Sequence, residues 1–309
     1  MELLYLFESI RTPFLDAVMS VITYLGSEVL FMAAAIILFW CVDKRDGYYM
    51  LSVGFIGAVV NQFLKLWFRI PRPWVKDPDF TIVESARVDA TGYSFPSGHT
   101  QTVFATLGVP AMTAKKLWLK IVLFAFLVLT AISRMYLGVH TPLDVGVSFV
   151  LGLVLLLAVY PVFHGAEEKP GRVYALLGGT VLLSLAYVLF AELYPFPADV
   201  DAENLSHGIK NAYTLLGAGT GLLVSFYLDS RYIHFETKAT LWAQLVKIAA
   251  GVAGVMVIRL LLKAPLSALF GGHYAADSVR YFLMVLFAGG IWPLTFKWFS
   301  ERKPLFKKK

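Results

Sequence analysis

Cysteine and charge are both scarce in this sequence of 309 residues. The only cysteine is Cys41, which excludes an intramolecular disulfide and a thiolate metal site. Charged residues make up 16% of the chain and hydrophobic residues 58%, with a mean hydropathy of +0.68. Soluble domains carry about 25% charged residues. The composition therefore excludes an ordinary soluble domain and predicts a chain that resides in a membrane.

Long apolar segments recur along the chain, and a helix needs about 20 such residues to cross a bilayer. An amphipathic stretch, 12–25, precedes them and predicts a helix that lies in the membrane interface. We predict an all-α fold, a polytopic transmembrane helical bundle with nine spans. These spans lie near 27–42, 47–68, 97–114, 117–136, 141–163, 172–194, 211–228, 240–262 and 279–299.

Lysine and arginine are concentrated in alternate connections between the predicted spans. The positive-inside rule assigns the basic connections to the cytoplasm and the other set to the outer side. Basic loops also account for the net charge of +6, so no nucleic-acid partner is predicted. The outer connections are 69–96, 137–141, 195–210 and 263–278.

Ionisable side chains occur at the outer ends of predicted spans two to five, where burying charge is costly and usually functional. Three of them are cations, and guanidinium groups bind phosphate oxygens in a bidentate manner. A Ser-Gly-His sequence at a predicted helix start adds backbone N–H donors, and its glycine leaves no side chain between backbone and ligand. The combination predicts a site for a tetrahedral oxyanion. Its members are Lys65, Arg72, Ser97, Gly98, His99, Arg134, His140 and Asp144.

Two histidines of this set can divide the catalytic work. His140 and Asp144 are four residues apart, so the carboxylate can contact one ring nitrogen and leave the other free to attack phosphorus. His99 can protonate the leaving oxygen and then activate water. Because the sequence has no cluster with metal-ligand spacing, we predict no metal and no other cofactor. The three cations are expected to supply the charge that Mg²⁺ supplies in other phosphoryl-transfer sites.

These residues resemble the signature of the type 2 phosphatidic acid phosphatase (PAP2) superfamily, which includes glucose-6-phosphatases, bacterial acid phosphatases and vanadium haloperoxidases. The elements K-x6-R-P, P-S-G-H and S-R-x5-H-x3-D match 65–73, 96–99 and 133–144 without a gap. The resemblance implies that His140 is the nucleophile and His99 the acid/base, in a family that works without metal. Haloperoxidase activity is not expected, because those relatives are soluble. The implied phosphate-binding residues are Lys65, Arg72, Ser97, Gly98 and Arg134.

The resemblance also implies a six-helix membrane core within 12–194. We therefore predict a phosphatase core at 1–194, followed at 195–309 by about three additional spans and a basic cytoplasmic tail. The expected function is metal-independent hydrolysis of a lipid phosphate or diphosphate through a phosphohistidine. Candidate substrates are polyprenyl diphosphate, phosphatidic acid and phosphatidylglycerol phosphate. The expected partners are this lipid and the bilayer, and oligomerisation stays open.

The expected location is a bacterial inner membrane with the site facing the periplasm; a site in the lumen of the endoplasmic reticulum is topologically equivalent. Three alternative functions stay open. A sugar-phosphate phosphatase is one, since glucose-6-phosphatases also have nine spans. A lipid phosphotransferase is the second, and a non-catalytic scaffold or transporter is the third. Taken alone, Lys65 is explained by snorkelling and Ser97 by an ordinary helix cap, so the combination carries the interpretation.

Overall fold

The structure, a computed structural model, describes residues 1–165 and 169–300. These residues form helices joined by loops, and no strand occurs among them, which confirms the predicted all-α fold. The α-helices are α1 (Glu2–Ser9), α2 (Pro13–Thr23), α3 (Glu28–Ile37), α4 (Lys44–Phe68), α5 (Pro73–Lys76), α6 (Gly98–Val103), α7 (Val109–Thr113), α8 (Leu117–Tyr136), α9 (Pro142–His164), α10 (Pro170–Leu193), α11 (Ala202–Leu228), α12 (Leu241–Leu261), α13 (Lys263–Leu269), α14 (Ala275–Leu286) and α15 (Phe296–Ser300).

Six helical stretches in the described residues are long and apolar enough to cross a membrane. A seventh is added if Pro13–Gly26 and Glu28–Val42, which are bent by 50°, form one span. The polytopic bundle is thus confirmed, whereas the count of nine spans stays a prediction. Two predicted spans, 97–114 and 211–228, are not among the helices that are long and apolar enough. The first is divided between α6, a π-turn and α7, and the second belongs to α11, which has a polar beginning. The six stretches are Lys44–Lys76, Leu117–Tyr136, Pro142–His164, Pro170–Leu193, Leu241–Leu269 and Ala275–Trp298.

The helices form two compact units. The first consists of Met1–Ala34, Tyr49–Pro161 and Leu193–Gly208, and it contains all eight predicted site residues. The predicted division between 1–194 and 195–309 stays a prediction. The second unit consists, as far as the chain is described, of Ala35–Tyr48, Val162–Glu192 and Ile209–Lys309.

In the first unit, α1, α2 and α6 all pack against α8. Helix α2 begins where Thr12 caps it by accepting the N–H of Leu15 at 3.2 Å. The end of α8 is held to this region, because the Tyr136 hydroxyl donates to Asp16 at 2.8 Å and Arg11 donates to the Tyr136 carbonyl at 3.1 Å. The N-terminal helices therefore fix the end of α8, which carries one of the predicted site cations.

In the second unit, α12 packs against α14 and against the π-turn Leu38–Val42. Trp40 is fully buried there and donates its indole N–H to the carbonyl of Ala288 at 2.9 Å. A side chain on Gly251 would collide with Trp40 and Trp292, so the glycine permits this close packing. An ion pair of 2.9 Å joins Lys44 and Asp229 in the same unit.

Candidate active site

The predicted site residues lie at helix ends in the first unit. Lys65 lies in the last turn of α4, and Arg134 in the last turn of α8. Gly98 is the first residue of α6, and Asp144 lies in the first turn of α9. Helix ends therefore place the polar side chains beside loops, whose carbonyl groups are free to contact the cations.

Arg72 is buried and is held by the backbone of two loops, one before α6 and one before α9. Its guanidinium donates to the carbonyls of Thr91 at 2.7 Å, Gly92 at 3.1 Å and Val139 at 3.0 Å. Nη1 of Arg72, which donates to the Val139 carbonyl, also lies 2.9 Å from Nε2 of His140. Because arginine is only a donor, Nε2 must be the acceptor of this contact. The geometry thus assigns the neutral imidazole a proton on Nδ1 and a lone pair on Nε2.

The Asp144 carboxylate lies on the other side of the imidazole. Its Oδ2 is 3.5 Å from Nδ1 of His140, which is longer than a charge-assisted hydrogen bond. Two shorter bonds hold that same oxygen, one from the Ser94 hydroxyl at 2.5 Å and one from the Thr141 N–H at 2.7 Å. The backbone of Ser97 also donates to the Asp144 carbonyl, at 3.1 Å. The carboxylate is therefore fixed in front of Nδ1 by two loops, the one that carries Ser94 and the one that carries Thr141.

Arg134 is almost fully buried and makes one side-chain hydrogen bond that fixes it. Its Nη1 donates to the Thr23 hydroxyl at 2.7 Å, whereas Nε and Nη2 have no partner among the described residues. Nε2 of His99 is also buried without a partner in this part of the chain. The turn after α2 approaches closely, since a Cβ on Gly26 would lie 2.6 Å from the His99 carbonyl oxygen. Thr23 and Gly26 are thus part of the wall of the site.

Lys65, Ser97 and Gly98 complete the predicted set. The buried Lys65 ammonium donates to the Tyr93 carbonyl. Ser97 caps α6 by accepting from the N–H of Thr100 at 3.4 Å and from its hydroxyl at 3.0 Å. Beside Gly98 there is open space: a Cβ there would have its nearest atom 4.0 Å away. A ligand can therefore approach the N-terminal end of α6 at this glycine.

The electrostatics of the site favour an anion and a neutral nucleophile. With Lys65, Arg72 and Arg134 charged and Asp144 ionised, two positive charges remain in excess. Burial lowers the pKa of His140 well below its ordinary value of 6.5, and the charges of Arg72, Arg134 and Lys65 lower it further. The imidazole is therefore unprotonated at neutral pH and keeps the lone pair that a nucleophile needs.

Models of known families match both halves of the chain. The model of the PAP2 superfamily matches residues 47–168, and the model described as PAP2 superfamily phosphatase, transmembrane extension, matches 213–304. The chain is also 33% identical over 176 residues to phosphatidylglycerophosphatase B of Bacillus subtilis, a match that covers 53% of this chain and 80% of that protein. This chain belongs to the PAP2 superfamily. It is a phosphoric ester hydrolase and an integral membrane protein.

Two further relatives place this PAP2 protein among lipid phosphatases. Undecaprenyl-diphosphatase BcrC of Bacillus subtilis is 31% identical over 147 residues, which cover 46% of this chain and 71% of that protein. A dihydrosphingosine 1-phosphate phosphatase of Schizosaccharomyces pombe is 26% identical over 217 residues, which cover 64% of this chain but 50% of that protein. No solved structure matches the chain.

The structure adds contacts that the sequence analysis did not find. Thr23 lies 111 residues before Arg134, and Ser94 lies 50 residues before Asp144, so neither belongs to a local spacing pattern. Thr141 contributes through its backbone N–H, which any residue except proline would supply. A signal was available only for Ser94, which stands two residues before the P-S-G-H element.

Proposed function

We propose that this PAP2 protein hydrolyses a lipid phosphomonoester through a phosphohistidine formed on Nε2 of His140. One observation carries the proposal: the buried imidazole lies between the Asp144 carboxylate at Nδ1 and the Arg72 guanidinium at Nε2. Nε2 is thereby the nitrogen that carries the lone pair and the one that lies beside a phosphate-binding cation. Arg72, Lys65 and Arg134 then stabilise the negative charge of the phosphoryl group.

In the first step, Nε2 attacks phosphorus, and the bond from phosphorus to the lipid oxygen breaks. The electron pair of that bond stays with the lipid oxygen, which takes a proton from His99. Because burial and the three cations lower the pKa of His99, this step requires the negative charge of the bound phosphate to keep His99 protonated. Asp144 stabilises the positive charge that develops on the imidazole of His140 as the P–N bond forms. The product is a free lipid alcohol and a phosphorylated His140.

In the second step, water attacks phosphorus as neutral His99 takes its proton. The P–N bond breaks, its electron pair returns to Nε2, and inorganic phosphate leaves. His99 thus ends each cycle with the proton that it donates in the next one. The charge that a metal supplies in other phosphoryl-transfer sites comes from the three cations. The single buried carboxylate among them is a poor donor set for a divalent ion.

The substrate class follows from charge and from the relatives. Two positive charges in excess match the two negative charges of a phosphomonoester at neutral pH. The names of two relatives, a phosphatidylglycerophosphatase and a dihydrosphingosine 1-phosphate phosphatase, refer to lipid monoesters. A lipid diphosphate is the second candidate, because a third relative is named an undecaprenyl-diphosphatase.

We place the site on the outer side of a bacterial inner membrane. Helix α8 supports this proposal, because Lys115, Lys116 and Lys120 lie at its beginning and Arg134 lies in its last turn. Its 20 residues span about 30 Å, the thickness of the hydrocarbon core. The positive-inside rule then assigns the beginning of α8 to the cytoplasm and its end to the opposite side.

The decisive experiment measures phosphate release by the purified protein in detergent with EDTA. The substrates are phosphatidylglycerol phosphate, phosphatidic acid, a polyprenyl diphosphate and glucose-6-phosphate. The variant is His140→Ala, and the matched control is His207→Ala, which removes an exposed imidazole. We expect release from a lipid monoester that only His140→Ala abolishes. Equal release by His140→Ala, or none from any substrate, contradicts the proposal.

A second measurement addresses the intermediate. Brief reaction with substrate labelled in the phosphate should give an acid-labile, alkali-stable adduct on the wild-type protein and none on His140→Ala. If the label passes to an added alcohol or lipid and none appears as inorganic phosphate, the protein is a phosphotransferase instead.

A further inference from the structure

Asn61 has a buried amide that the described structure leaves without a hydrogen bond. The side chain is 2% exposed, and neither Oδ1 nor Nδ2 has a partner in the described residues. Burying an unpaired amide costs free energy, and native proteins rarely accept that cost without a reason. The surrounding helices offer no structural reason, because a packing role would bond the amide to a carbonyl or to a neighbouring side chain.

The position of Asn61 connects it to the phosphate site. It lies on α4 one helical turn before Lys65, so the two side chains share a face of that helix. Apart from the adjoining residues and the backbone of α6, its Oδ1 is the described atom nearest to the place where a Cβ on Gly98 would lie, at 4.0 Å. The amide thus borders the open space in front of the Gly98 backbone.

The amide can present a donor to that space without losing any bond. Because neither of its polar atoms is paired, rotating the group by 180° costs no hydrogen bond and exchanges Oδ1 for Nδ2. Nδ2 carries two N–H donors, which the rotated amide would direct to the open space beside Gly98. A tetrahedral anion placed there would receive a donor from α4.

We propose that Asn61 is a phosphate-binding residue, whose Nδ2 donates to a non-bridging oxygen of the phosphoryl group. The inference rests on the proposed function, since it names a further ligand of the same site. It assigns one side of the phosphate to two residues of a single helix face, Lys65 and Asn61.

The test compares Asn61→Leu and Asn61→Asp with Gln62→Leu. Gln62 is the matched control, because it removes an amide from the next position of α4, on a different face. The measurements are kcat and KM for the lipid substrate, the inhibition constant of vanadate, which mimics the phosphoryl transition state, and the melting temperature.

We expect Asn61→Leu to lower kcat/KM about 10- to 100-fold and to weaken vanadate inhibition by a similar factor, as the loss of a hydrogen bond to a charged group implies. Its melting temperature should not fall, because the substitution removes a buried unpaired amide. Asn61→Asp should lose more activity, since a carboxylate repels the phosphate. Gln62→Leu should keep both constants within about twofold, a small effect for a change outside the site.

The inference is overturned if Asn61→Leu retains wild-type kcat/KM and vanadate inhibition. If Asn61→Leu does not fold, Asn61→Ala replaces it, and unchanged vanadate inhibition in that variant overturns the inference equally. If the proposed function itself is wrong, the result differs: the wild-type protein then releases phosphate no faster than His140→Ala.

Discussion

Substitution of Ser94 by alanine tests how the nucleophile is held. The Ser94 hydroxyl donates to Oδ2 of Asp144 at 2.5 Å, and both side chains are almost fully buried. The loop that carries Ser94 also supplies the carbonyls that hold Arg72 and Lys65. This hydrogen bond therefore connects the loop that holds Arg72 and Lys65 to α9, the helix that carries Asp144.

The expected magnitude follows from the charge of the acceptor. A hydrogen bond to an ionised group contributes about 1.5–3 kcal/mol, which corresponds to about 10- to 150-fold in rate. Oδ2 of Asp144 keeps the Thr141 N–H at 2.7 Å, so the carboxylate loses one of its two restraints and retains the other. We expect Ser94→Ala to lower kcat/KM within this range, chiefly through kcat.

The assay is steady-state phosphate release from a lipid monoester, with the melting temperature measured in the same detergent. Ser148→Ala is the matched control, because Ser148 is a buried serine on the same helix as Asp144 and its hydroxyl has no partner in the described chain. The control should keep its activity. If Ser94→Ala and Ser148→Ala have the same kcat/KM, Ser94 does not position Asp144, and the reasoning is refuted.

Three further predictions use other parts of the site. Thr23→Val removes the hydroxyl that accepts a hydrogen bond from Arg134 at 2.7 Å. In the same assay it should lower kcat/KM about tenfold, because about 1.5 kcal/mol is lost; an unchanged kcat/KM would show that Thr23 is only structural. Burial and nearby cations lower the pKa of His140 below 6.5, so the acid limb of kcat/KM should lie below pH 6.5, and a limb above pH 7 contradicts this. Below pH 6.5 this imidazole binds a proton in the unfolded chain but not in the folded chain. As the pH falls from 6.5 to the folded pKa, the free energy of unfolding should therefore decrease by about 1.4 kcal/mol per pH unit. Gly98→Ala meets no atom closer than 4.0 Å and should preserve the melting temperature while it obstructs phosphate and raises KM; an unchanged KM would contradict the approach of phosphate at this glycine.

The fold class and the family could be predicted from the sequence because both depend on local information. Apolar runs of about 20 residues report a membrane helix wherever they occur. Residues within one motif element are close together in the chain, as His140 and Asp144 are, so their spacing already brings them to one place. The family match and the all-α structure confirm both of these predictions.

The number of spans and the supporting contacts could not be predicted in this way. The stretch 97–114 is apolar on average, but a π-turn at Phe104–Gly108 divides it, and hydropathy does not detect such a turn. The contact of Thr23 with Arg134 depends on how α2 packs against α8. Packing between distant segments is decided by side-chain fit over the whole surface, for which a single sequence has no simple periodic signal.

The contacts of the three cations show why the site is built from neutral acceptors. Buried charged side chains in a membrane pair with one another or with backbone carbonyls. Here, the side-chain hydrogen bonds of Lys65, Arg72 and Arg134 to described residues end on a carbonyl, a hydroxyl or an imidazole. Carboxylate partners would stabilise the cations more strongly, but they would also cancel the positive field that a phosphate requires. Neutral oxygens fix the positions of the cations and leave their charge available to the substrate.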